Sequence, residues 1–269
     1  MLWALLCVIG LFVGAFGTLV GAAGGFILVP ILLFLYPDET PATITSITLS
    51  VAFFNALSGS IAYGRLKRID YRSGLIFSFA SVPGAIIGAS ITSILSRGIF
   101  QILFGATLLL ASGYLMVRPE RNSVTNIATR GHTKRVITDR KNNVFNYSYS
   151  LIRGITIAFG VGLISGLLGI GGGIIHVPAL TQFLCFPTHI ATATSHFVVA
   201  ITTFAAVITH VVTGAFTEGV HRAAVLSAGA IIGAQVGARL SQKVSGVLIV
   251  RLLAAGLAMV AIRLLIASI

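Results

Sequence analysis

The stretch Gly14-x-x-Gly17-x-x-x-Gly21-x-x-Gly24-Gly25-x-x-x-Val29-Pro30 returns later in the chain as Gly162-x-x-x-Gly166-x-x-Gly169-x-Gly171-Gly172-Gly173-x-x-x-Val177-Pro178. An offset of 148 residues lays Pro30 on Pro178, Gly14 on Gly162, Gly21 on Gly169 and Gly24-Gly25 on Gly172-Gly173. Each copy lies inside an uncharged, apolar run. Clustered glycines break a helix, because they adopt backbone conformations that other residues resist. Two breaks at matched positions of a hydrophobic chain point to a transporter whose substrate site lies where discontinuous helices meet.

The surroundings fit that reading. The chain has 269 residues, 56% of them hydrophobic and 9% charged, with a mean hydropathy of +1.01. A soluble domain could not cover itself with so few charges, so the sequence predicts an all-α polytopic membrane protein. No charged residue occurs in 1–37, 73–96, 98–117 or 154–217. The first run lacks the basic start of a signal peptide and its pattern recurs in mid-chain, so it reads as a span. Cys7 and Cys185 form no metal or redox spacing and read as packing residues.

The net charge of +12 is topological rather than a sign of nucleic acid. Arg65, Lys67, Arg68 and Arg72 share one short loop; Arg118, Arg121, Arg130, Lys134, Arg135, Arg140, Lys141 and Arg153 lie in or beside another. Such clusters flanking spans mark the cytoplasmic side and attract anionic lipid.

Apolar segments cover 2–36, 42–64, 73–94, 98–117, 154–186, 190–215, 223–239 and 246–267. This divides the chain into a membrane repeat 1–117, a basic cytoplasmic connector 118–150 and a second membrane repeat 151–269. After the breaks, Ala42-Thr43-x-Thr45-Ser46 answers Ala191-Thr192-x-Thr194-Ser195, and Gly84-Ala-Ile-Ile-Gly-Ala89 is repeated as Gly229-Ala-Ile-Ile-Gly-Ala234. The small-x-x-x-small spacing suits close helix packing in lipid. Segments 2–36 and 154–186 exceed one span of about 20 residues yet are short for two. If each crosses once, the repeats are parallel; if each dips in and returns, they are inverted. A parallel arrangement leaves 14 of the 18 basic residues inside and an inverted one 15, so charge does not decide. A half-depth helix after each Gly-Gly tip favours the inverted form. In the connector, 134–138 and 144–149 are β-prone around turn-forming Asp139–Asn143, which predicts a hairpin.

A helix restarting after Gly24-Gly25 or Gly171-Gly172-Gly173 aims free N–H groups and its positive end at the membrane interior, an anion site without charged side chains. Thr45, Ser46, Thr194 and Ser195 open the next span in each half and could supply hydroxyl donors. Mid-membrane hydroxyls also bond their own helix carbonyls. His176, His196 and His210 are intramembrane ionisable groups, able to carry a coupled proton. His196, beside Ser195, is the first choice for the substrate path, with Asn55 and Gln182 ranked lower. The six acids lie in or next to loops and form no catalytic dyad. No Walker or dinucleotide motif is present, so neither ATP nor a cofactor is expected.

The doubled glycine pattern, the A-T-x-T-S run, the loop Arg65-Leu-Lys-Arg-Ile-Asp70 and the connector's Arg135-Val-Ile-Thr-Asp139 and Tyr147-x-Tyr149 resemble the TauE/SafE family of sulfite exporters. The resemblance covers essentially the whole chain. It implies a secondary permease of the inner membrane that moves sulfite or organosulfonates, with glycine breaks at Gly21, Gly24, Gly25, Gly169, Gly172 and Gly173 and hydroxyl runs at Thr45, Ser46, Thr194 and Ser195. Ala23 stands where the second copy has Gly171, so the two half-sites are expected to contribute unequally. A homodimer is compatible with the sequence, which does not show one. An anion channel and a non-transporting scaffold that uses the basic connector are the competing readings.

Overall fold

Thr40 opens the longest helix of the first half as a sequence-encoded cap. Its hydroxyl accepts from the Thr43 amide, and Pro41 follows at the first helical position, where its missing N–H costs nothing. The computed structural model of the protein describes residues 2–117, 132–216, 219–244, 251, 255 and 258–259. The helices of the first half are α1 (Leu2–Val20), α2 (Gly25–Leu35), α3 (Pro41–Arg65), α4 (Tyr71–Thr92) and α5 (Arg97–Val117). Strands β1 (His132–Thr138) and β2 (Val144–Ser150) pair antiparallel, with Arg135 opposite Tyr147. The second half follows with α6 (Leu151–Leu168), α7 (Gly173–Pro178), a π-helical turn (Ala179–Phe183), α8 (Thr188–Val212) and α9 (Val220–Leu240). The last apolar segment, 246–267, lies almost wholly outside the described residues, as do residues 118–131 of the connector.

Among the described residues six helices are long and apolar enough to cross a membrane: α1, α3, α4, α6, α8 and α9. Their outward faces carry bare Phe79, Ile152 and Val212, each at least three-quarters exposed, as a lipid-facing surface does. Polar side chains are turned inward instead. Thr18, Thr45, Ser46, Asn55, Thr194, Ser195, His196 and His210 are all buried.

Helix α3 is the most enclosed of the six, and α8 crosses it antiparallel. Thr45 near the start of α3 reaches His210 near the end of α8, and Gly59 near the end of α3 abuts His196 near the start of α8. Helix α4 rests on α6 through glycine: a Cβ on Gly84 or Gly88 would fall 2.3 or 2.1 Å from the carbonyl oxygens of Phe159 and Leu163. Helix α9 rests on α1 in the same way, with Gly229 and Gly233 on the carbonyls of Cys7 and Leu11. Each half's Gly-Ala-Ile-Ile-Gly-Ala motif therefore packs against the other half's broken segment. Without Cβ atoms the backbones touch, which is how helices bind in lipid. The two packings differ by one helical turn. Counted back from its break, α1 meets α9 four residues earlier than α6 meets α4, a slide of about 6 Å.

Charged residues sort to the two ends. Arg97 donates to the carbonyls of Leu33, Pro37 and Glu39, while Arg222 pairs with the Glu39 carboxylate at 2.5 Å and stacks over Tyr36. At the opposite end the β-hairpin docks on the 65–72 loop. Arg135 pairs with Asp70, Arg68 with Asp139, and the Arg140 amide donates to the Leu66 carbonyl.

Candidate functional site

The chain leaves helical geometry at matched places in the two halves. Gly21, Ala23 and Gly24 have φ of 84°, 53° and 78°; Gly169, Gly171 and Gly172 have 70°, 77° and 72°. Three left-handed residues within four positions turn the chain sharply, so that a new helix starts at Gly25 and at Gly173. Each new helical stretch runs 11 residues, to Leu35 and to Phe183, although the second widens into a π turn after Pro178.

The two breaks meet. A Cβ on Gly25 would lie 2.5 Å from the Ile170 carbonyl oxygen, and one on Gly173 would lie 2.3 Å from that of Gly21. Gly171 faces Ala52, Ala23 and Val199. Ala52 and Val199 are each the twelfth residue of a 25-residue helix, so this contact marks the mid-length of both α3 and α8. Only glycine and alanine let four backbone segments come so close.

The structure distributes the expected site residues unevenly around this crossing. Gly21 lies against Thr192 and Val177, and its carbonyl accepts a hydrogen bond from Ser195 at 3.2 Å. Gly169 lies against Thr45 and Thr48. The Thr45 hydroxyl donates to the carbonyls of Pro41 and Ala42 and stands 3.4 Å from His210 Nε2. Gly24 packs on Val13, and Gly172 on Ser165 and Val161. Ser46 and Thr194 point away from the breaks. Ser46 donates to the Thr43 carbonyl and reaches Ala215, and Thr194 accepts from the Asp70 amide at 3.0 Å. His196 abuts Gly59 and Tyr63, with Nε2 3.2 Å from the Thr18 hydroxyl. Thr18 in turn donates to Asn55 at 2.7 Å, and its carbonyl accepts from Tyr63.

Several groups here are buried with no hydrogen-bond partner among the described residues: Thr192 Oγ1 and Asn55 Nδ2 near the first break, Ser165 Oγ and His176 Nδ1 near the second, and His210 Nδ1 beside Thr45. Leaving such groups unpaired costs about 1–3 kcal/mol each, so each calls for a reason. Ser165, Gly171, Gly172, His176 and Thr202 line one small cavity of about 10 Å³, room for about one water. Its counterpart in the first half would have Gly17 for Ser165 and Leu28 for His176, which removes both polar groups. Thr18 and Ser165 escaped the sequence reading because each is a lone hydroxyl in an apolar run. The signal that could have found Ser165 was its place seven residues before Gly172, on the face that α7 folds back against.

The family model for the sulfite exporter TauE/SafE family matches residues 6–264. The chain is 35% identical to the probable membrane transporter protein YunE of Bacillus subtilis, over 90% of both chains. It is 25% identical to a probable membrane transporter protein of Methanocaldococcus jannaschii, over 91% of this chain and 88% of that one. No solved structure gives a significant match.

Proposed function

The chain belongs to the sulfite exporter TauE/SafE family of membrane transporters, and from that premise we propose that it is a secondary permease carrying a small oxyanion, sulfite or an organosulfonate, across the plasma membrane. The observation that carries this reading is the crossing of two glycine breaks at mid-length of α3 and α8, with unpaired buried hydroxyl and imidazole groups beside it. Backbone amides at the starts of α2 and α7, with Thr192, Ser195 and Ser165, would bind the anion without a fixed charge. A neutral site suits transport, because a buried cation would hold the anion too firmly to release it. The cavity at the second break is too small for sulfite, so this arrangement is closed and the site must open to load.

The halves read as inverted repeats with re-entrant first segments. Antiparallel packing of the equivalent helices α3 and α8 supports this, as does the meeting of Arg97 and Arg222 at Glu39, opposite the end that holds Arg65, Arg239 and the hairpin. Rocking or sliding of one helix pair against the other around the breaks would then expose the site to each side in turn. The basic hairpin end is the cytoplasmic one. His176 at the cavity is the candidate carrier of a coupled proton. The protein is read as a transporter and not an enzyme.

Sulfite flux into proteoliposomes tests the reading. Ser165→Ala and Thr192→Val remove hydroxyls with no hydrogen-bond partner among the described residues, so folding should survive. Loss of a hydrogen bond to a charged ligand, about 1.5–3 kcal/mol, should lower kcat/KM by roughly tenfold or more in each. Full flux in both variants would remove the breaks from the substrate path, and no oxyanion flux by the parent protein would end the permease reading.

A further inference from the structure

Where α3 and α9 end beside the β-hairpin, basic side chains surround two adjoining cavities. The first, of about 200 Å³, is lined by Arg65, Arg140, Arg239 and Gln242 among others; the second, of about 300 Å³, by Arg68, Asp139, Arg140, Lys141 and Gln242. Arg140 and Gln242 belong to both walls, so the cavities form one groove. Five cations face it against a single carboxylate.

That carboxylate is already engaged. Asp139 accepts from the amides of Lys141 and Asn143 and from the Asn143 side chain, and stands 3.5 Å from Arg68 Nη2. Arg65, Arg140, Lys141 and Arg239 take part in no ion pair among the described residues. The second pointer is Arg68 itself. Its side chain is 7% exposed, and Nη1 is buried without a hydrogen-bond partner among the described residues. A guanidinium cannot shed its proton to escape burial, so half of its donor fork waits for an acceptor inside the groove. The helix ends explain two of the cations, since α3 and α9 both finish here and Arg65 and Arg239 favour their negative ends. They do not explain Arg68, Arg140 or Lys141, none of which lies in a helix.

We infer that this groove is an oxyanion site, built for a phosphate-class group, which Arg68 Nη1 would meet from within while Arg140 and Arg239 close on it from the two sides. The group can come from a phospholipid headgroup at the membrane surface or from a free inorganic oxyanion. The inference concerns binding alone and does not depend on the permease reading.

Purified full-length protein in two preparations separates the sources. In phosphatidylcholine nanodiscs, inorganic phosphate is titrated calorimetrically. In detergent with mixed phosphatidylcholine and phosphatidylglycerol, retained lipid is counted by native mass spectrometry. Arg140→Gln combined with Arg239→Gln, whose side chains make no ion pair among the described residues, should weaken binding at least tenfold in one preparation, while Arg153→Gln, outside the groove, should not. A loss confined to the lipid count assigns the site to a headgroup, and a loss of phosphate binding assigns it to a soluble anion. Arg65→Gln serves if the double variant fails to fold. The site is refuted if neither probe binds the parent protein, if the groove variants bind as the parent does, or if Arg153→Gln loses as much as they do.

Discussion

Ala23 holds a φ of 53° where the second half has Gly171 at 77°. A left-handed alanine is strained by roughly 1–2 kcal/mol, so the break is imposed on Ala23 by the residues around it. Its methyl group fills the place facing Ala52 and Val199 in the centre of the molecule. Glycine at 23 would relieve the strain and add freedom to the unfolded chain, two effects of similar size and opposite sign. Ala23→Gly should therefore leave the melting temperature nearly unchanged. Gly171→Ala faces both penalties at once, because φ is unfavourable and the new Cβ would lie 3.0 Å from that of Ala52. It should cost about 1–3 kcal/mol and lower the melting temperature by several degrees. Equal melting of the two variants in detergent would show that the breaks do not need their left-handed residues.

Among the elements, Asp70 is the carboxylate that ties the hairpin to the membrane helices at the most points, with the Arg68–Asp139 pair beside it. Asp70 caps α4 through the Ser73 amide, accepts from the Arg135 guanidinium, Ser73 and Tyr147, and gives its own amide to Thr194 on α8. Burial pushes the Asp70 carboxyl up, yet the hydrogen bonds from Arg135, Ser73 and Tyr147 outweigh it and hold the group below the ordinary carboxylate value. Because the folded-state value is the lower one, the charged form stabilises docking at all pH above the unfolded value of about 4. That stabilisation fades as pH falls through the folded value. Amide exchange in β1 and β2 should be slow and flat with pH (after correction for intrinsic rates) down to about pH 4, then quicken on further acidification. Asp70→Asn should loosen the hairpin at neutral pH, at a cost of about 3 kcal/mol for the orphaned Arg135, and weaken the acid transition, of which Asp139 beside Arg68 supplies the remainder. Exchange that ignores the substitution would show that the hairpin rests on its apolar contacts around Phe186.

Across the whole molecule, the two topologies left open by charge counting differ in where Asp38 and Lys243 emerge. Parallel repeats put both on one side; inverted repeats put them on opposite sides. Both residues are exposed. Single cysteines at these positions, in a background lacking Cys7 and Cys185, should label with a membrane-impermeant maleimide from opposite faces, Asp38→Cys from outside and Lys243→Cys from the cytoplasm. Labelling of both from one face would overturn the inverted reading, together with the rocking motion built on it.

Among the described residues, the order of the apolar helices, their ends to within a few residues, and the two glycine breaks were written in the sequence, because lipid imposes length and hydropathy on each span separately. The hairpin strands were legible for a similar reason, since strand propensity and turn residues are local. What the linear order could not carry is which surfaces meet. The repeated Gly-Ala-Ile-Ile-Gly-Ala motif announces a close contact without naming its partner, and the fold pairs it with the other half's broken segment, one turn further along in one half. Thr45, Ser46, Thr194 and Ser195 recur as matched pairs, yet only Thr45 and Ser195 lie against a break, because a hydroxyl's neighbour depends on the face its helix turns inward. Asp70 reads as a loop acid beside arginines until the connector folds back and makes it the hairpin's anchor. Spans are fixed by each segment's encounter with the bilayer, whereas a site needs side chains far apart in sequence to converge, and only the tertiary structure decides that.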